Sequence, residues 1–86
     1  MNTITIEVEL DDLELLDTLY QTIDVEMTAT KTERGEASVK IIDQTLQVTI
    51  IAQDYVAARA LTNSIMRLLQ TSVDVAESIT IRKSED

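Results

Sequence analysis

Ile4, Ile6 and Val8 alternate with Thr3, Thr5, Glu7 and Glu9, which predicts a strand with one apolar and one wet face. The period then changes. Leu13, Leu16, Tyr20 and Ile23 recur three or four residues apart, joined by Leu15 and Leu19, and predict a helix over residues 12–23. Asp11 suits its N-cap and Glu14, three residues on, completes a capping box. Leu10 and Leu15 take the places of a hydrophobic staple, while Glu14, Asp17, Thr18 and Gln21 fall on the outer side. Residues 24–36 show no apolar period and include the chain's single glycine, Gly35, so they read as a long loop. Alternation returns over residues 37–42 and 45–52, with Val39 and Ile41, then Leu46, Val48 and Ile50, pointing inward. Only Asp43 and Gln44 separate the two runs, which makes them a hairpin.

Asp54 caps a second helix that begins at residue 55 and ends between 72 and 77. After it, Ile79 and Ile81 alternate like a short strand, able to cover a sheet edge or to pair with another chain. The final four or five residues read as a frayed end.

These elements predict one α+β domain over residues 1–77 with a tail over 78–86. Its architecture is a two-layer sandwich of three antiparallel strands, with both helices on one face. A right-handed crossover from the first strand leaves room for the third strand beside it, giving the order 1-3-2. The first strand then lies at an edge, so Thr3, Ile4, Thr5, Ile6 and Glu7 are the expected contact between two copies.

The second helix carries the most information. Arg59, Asn63 and Arg67 stand four residues apart and form one polar stripe. Leu61, Ile65, Leu68, Leu69 and Ser72 lie opposite, and Thr62, Met66 and Val73 widen that side to roughly half the circumference, where a core-facing helix needs about 100°. The surplus makes this helix the expected partner surface, through Arg59, Thr62, Asn63, Ser64, Ile65, Met66, Arg67, Leu69 and Val73. Arg67 is also placed to bridge locally to Gln70.

Charge narrows the functions. The net charge is -9, and residues 1–30 hold eight acids with no Lys or Arg. An acidic first third repels phosphates, and two Tyr with no Phe or Trp supply little base stacking. The chain has no Cys and no His, which removes thiolate chemistry, the usual general base and the commonest metal ligand. Ser64 and Ser72 therefore lack an activating imidazole. Asp11 and Asp12, or Glu7 and Glu9, are better read as a cap and a wet strand face than as an acid–base pair. One glycine cannot build a phosphate loop. Neither a signal peptide nor a run of apolar residues long enough to span a membrane is expected, which points to a cytoplasmic protein without cofactor, metal or membrane partner. Binding, assembly or regulation remain.

The exit of the second hairpin strand, Ala52-Gln53-Asp54, followed by Arg59-Ala60-Leu61, Asn63-Ser64 and Arg67, resembles the Pcc-type small subunit of the KEOPS (EKC) complex. In that family an alternating strand ends in Ala-x-Asp and leads into Leu-Arg-Ala-x-x-Asn-Ser-x-x-Arg. Here Ala58 replaces the leucine, and the proline often found before the first helix is absent. The likeness spans residues 3–76, with residues 46–68 carrying the specific part. It implies a non-catalytic subunit that dimerises and docks on an ATPase-fold subunit, which transfers a threonylcarbamoyl group to adenosine in tRNA. The helical layer is implied as the docking surface, with Arg59, Asn63, Ser64 and Arg67 at the matching positions, and tRNA is met only indirectly. An accessory paralogue that heterodimerises with the ordinary subunit, of the kind some archaea carry, fits the same residues. A small regulatory ligand-binding domain is the competing class, and it needs a pocket.

Overall fold

The computed structural model describes residues 1–85. Four strands and three helices follow one another as β1 (Asn2–Glu9), α1 (Leu13–Thr30), β2 (Gly35–Ile42), β3 (Thr45–Ala52), α2 (Tyr55–Leu69), α3 (Val73–Glu77) and β4 (Ile79–Glu85). The sheet is antiparallel throughout, in the order β2-β3-β1-β4. Each of the two halves, β1-α1-β2 and β3-α2-α3-β4, is a split βαβ unit whose gap is filled by a strand of the other half. This is the ferredoxin-like arrangement.

The α+β class and the one-sided helical layer agree with the alternation in the sequence, and β1, β3 and β2 keep the expected relative order. The fourth strand corrects the edge. Val8 pairs with Ile79, Ile6 with Ile81 and Ile4 with Lys83, while β3 holds the other side from Asn2↔Ala52 to Glu9↔Thr45. Thr3, Ile4, Thr5, Ile6 and Glu7 therefore belong to an interior strand, and the free edges are β2 and β4. The strand expected over 78–82 runs instead to Glu85, so the fraying expected of the last residues does not describe 82–85. For Asp86 it lies outside the described residues.

The even-numbered residues of β1 and β3 form the floor of the core. Ile6, Val8, Leu46, Val48 and Ile50 are wholly buried, against Leu16, Leu19, Ile23 and Met27 of α1 and Ala58, Ile65 and Leu69 of α2. No polar or charged residue is buried among those described. Such a core specifies its layers by shape alone.

Three local differences from the sequence reading have physical causes. First, α1 extends through residues 24–30, because Met27 continues the face of Ile23 into the core. The hydroxyls of Thr28 and Thr30 donate to the carbonyls of Asp24 and Glu26, which satisfies them within the helix without adding to its stability. The long loop shrinks to a short turn ending at Gly35. Second, the N-cap is Asp12, whose carboxylate accepts the Leu15 N–H at 3.0 Å. Asp11 lies one residue outside, and the capping box with Glu14 does not form. Third, the second helical run breaks after Leu69, and Ser72 caps α3 through the Val75 N–H at 3.2 Å.

Asp43 takes the left-handed conformation in the hairpin turn, φ 56°, which aspartate tolerates. Gly35 opens β2 beneath α2, where a Cβ would lie 2.9 Å from Leu61 Cδ1. The absent side chain leaves room for the tip of Leu61 against the sheet.

Candidate partner-binding surface around the second helix

Asp54 anchors α2. Its carboxylate accepts the Ala57 N–H at 2.8 Å and two guanidinium nitrogens of Arg34 at 2.9 to 3.1 Å. The Ala57 N–H, followed by Arg34, holds the carboxyl below the usual carboxylate range. Next to it, the Gln53 N–H donates to the Arg34 carbonyl at 2.8 Å. The start of α2 is thus tied to the turn between α1 and β2, which sets the rotation of the helix about its axis.

That rotation sorts the expected site residues. Arg59, Asn63 and Arg67 come together as an exposed stripe. Thr62, Ser64 and Met66 are half-buried at its sides, with the Thr62 hydroxyl donating to the Ala58 carbonyl at 2.8 Å. Arg67 donates to Ser64 Oγ at 3.4 Å, rather than bridging to Gln70. Ile65 and Leu69 do not belong to this surface: both are 0% exposed and serve the protein's own core. The surplus apolar side of α2 is consumed by the sheet. Val73 is 71% exposed, yet it lies on α3, beyond the break, and does not extend the α2 face.

The structure adds residues that the sequence reading passed over. Val56 is 65% exposed and Ala60 is exposed one turn later, on the side of α2 that faces α1. With Thr30, Thr32, Arg34, Leu61 and Ser64 they line a groove of about 350 Å³ between α2 and the end of α1 with the turn that follows it. The signal lies in the sequence, since 56, 60 and 64 are four apart, but alanine and serine contribute little to an apolar pattern. A second groove separates α2 from β4 on the opposite flank. Its two walls are remote in sequence, so periodicity had no access to it.

The other face of the sheet is different in character. Thr3, Thr5, Glu7, Gln47 and Thr49 stand on the central strands, and Arg82 ion-pairs with Glu7 across them. RNA-binding sheets of this topology stack bases on aromatic residues of the central strands. These positions carry hydroxyl, carboxylate or amide side chains here, and none is aromatic. No helix among the described residues is long and apolar enough to cross a membrane, and no group of three or more Asp, Glu, His or Cys gathers as a metal site among them.

A family model described as "Transcription factor Pcc1" matches residues 3–77. No curated protein matches the chain. Among solved structures, a de novo designed protein, Foldit4, aligns with TM-score 0.73 at 15% identity, over 99% of this chain and 97% of the design. At that identity the design speaks for the fold alone.

Proposed function

The chain belongs to the Pcc1 family of KEOPS-complex subunits, and on that premise we propose that it is a non-catalytic assembly subunit. It seats its helical layer on the ATPase-fold subunit that transfers threonylcarbamoyl to adenosine in tRNA. The observation that carries this reading is the outer surface of α2. Val56 and Ala60 offer an exposed apolar strip one turn apart, beside the Arg59, Asn63 and Arg67 stripe. Small side chains let a partner helix approach closely, and the flanking polar stripe fixes its register.

Self-association, with a second copy or with a paralogue, is assigned in this reading to the free edges β2 or β4 instead of β1. Contact with tRNA falls to other subunits, because a chain of net charge -9 attracts few phosphates. The same charge speaks against direct binding to DNA. The reading places the protein in the cytoplasm, where tRNA is modified.

Co-expression with the ATPase-fold subunit and affinity purification test the proposal. The two are expected to co-purify, and Ala60→Glu is expected to abolish retention while leaving the fold intact, since the residue is exposed. Retention of the Ala60→Glu variant at the wild-type level would overturn the α2 assignment.

A further inference from the structure

Acids outnumber bases in this chain by sixteen to seven, so every cation has carboxylates to choose from. Lys31, Arg34 and Arg82 are paired, with Glu36, Asp54 and Glu7. Among the described residues, Lys40, Arg59, Arg67 and Lys83 have no carboxylate partner, and two of these four, Arg59 and Lys83, line the groove between α2 and β4. Lys83 lies over the Tyr55 ring, 5.1 Å from its centroid. No acid lines the groove.

The groove exists because the helices stop short of β4. Ile81 is 48% exposed although it points to the helical side, while its pairing partner Ile6 is 0% exposed. Ile4 and Ala58 complete an apolar floor beneath the two cations. Half-open strand isoleucine on the inner face of a sheet is apolar surface that the fold itself leaves uncovered.

Size decides the class of occupant. The groove measures about 170 Å³, below the roughly 300–1,000 Å³ of small-molecule sites. It is open along α2 and leads toward Arg67, the next cation of the stripe, one turn beyond Asn63. A polypeptide segment fits such a trough better than a compact metabolite. A second copy docked groove to groove would set Arg59 and Lys83 against their own kind across a two-fold axis.

We propose that this groove receives an acidic amphipathic segment of the partner subunit. An apolar side chain of that segment seats over Ile81 and Ala58, and its carboxylates pair with Arg59 and Lys83. The Arg59 guanidinium offers the bidentate geometry that a carboxylate accepts best. The inference rests on the assembly reading above and adds the chemistry of the partner and a second flank of α2 as its site.

The test is titration of the full-length chain with the purified ATPase-fold subunit, for the wild type, Arg59→Glu, Lys83→Glu and Lys40→Glu. Lys40 is exposed on the far edge strand and controls for net charge. Arg59→Glu and Lys83→Glu are each expected to weaken binding by about tenfold or more, and Lys40→Glu by less than about twofold. Because the chain has no cysteine, Ile81→Cys supplies a single thiol on the groove floor, and its alkylation is expected to slow when the partner is added. Wild-type affinity of Lys83→Glu, with the thiol of Ile81→Cys alkylated as fast in the complex as in the free chain, overturns the groove while leaving standing the assembly reading, which uses neither residue. Absence of wild-type binding overturns both.

Discussion

Ile65 separates a core role from an interface role on the most informative helix of the chain. It is 0% exposed, between α2 and the sheet. Ile65→Val removes one buried methylene and is expected to cost about 0.5–1.5 kcal/mol. For a domain of this length, 1 kcal/mol shifts the melting temperature by roughly 4–8 °C, so the variant should melt about 2–12 °C lower. Ile65→Ala should cost about 2–5 kcal/mol, a large part of the roughly 4–13 kcal/mol that holds such a domain together. Thermal melts and urea titrations by circular dichroism measure both, and an unchanged urea slope would confirm that the loss is in stability. Folded Ile65→Val should bind the ATPase-fold subunit like the wild type. An unchanged melting temperature with a tenfold loss of binding would refute the reasoning, because it would place Ile65 on the outside of α2.

Two further perturbations probe how α2 and the sheet edge are held. Asp54→Ala removes both the cap of α2 and the anchor of Arg34, and should lower the melting temperature. The Asp54 carboxyl is depressed in the folded state, so its stabilisation is full above the unfolded value of about 3.9 and is lost as pH falls through the lower folded value. Urea midpoints between about pH 6 and 2 should therefore fall more steeply for the wild type than for Asp54→Ala, and parallel curves would contradict this. Truncation after Ser78 removes β4 and uncovers one edge of β1, with Ile6 and Val8 behind it. Light scattering should give the truncated chain a larger mass than the full-length chain at equal concentration, and equal masses would contradict the role of β4 as an edge cover.

The strands were legible because alternation is short-range: Ile4, Ile6, Val8 and Leu46, Val48, Ile50 declare their faces without reference to anything else. Ile79 and Ile81 declared a strand, but not that it would run on to Glu85 or which edge it would cover. The extension of α1 rests on one buried residue, Met27, which continues the helical spacing four residues after Ile23 but is followed by no further apolar residue at that spacing. The stripe of Arg59, Asn63 and Arg67 was legible from spacing. The fate of Ile65 and Leu69 was not, since periodicity identifies an apolar face but not the neighbour that covers it. In this fold the sheet takes that face, and the available partner surface moves to the flanks. One flank is Val56 and Ala60, whose small side chains gave a weak hydrophobic signal. The other joins Arg59 to Lys83, which only the packing of β4 beside β1 brings to one groove.

Hydrogen exchange of the chain alone and in complex with the ATPase-fold subunit tests the central claim most directly. The account predicts that binding slows exchange over residues 55–67 of α2, with the open sheet face around Thr5 and Thr49 unchanged. Slowing confined to the sheet, with α2 exchanging at its free rate, would contradict it.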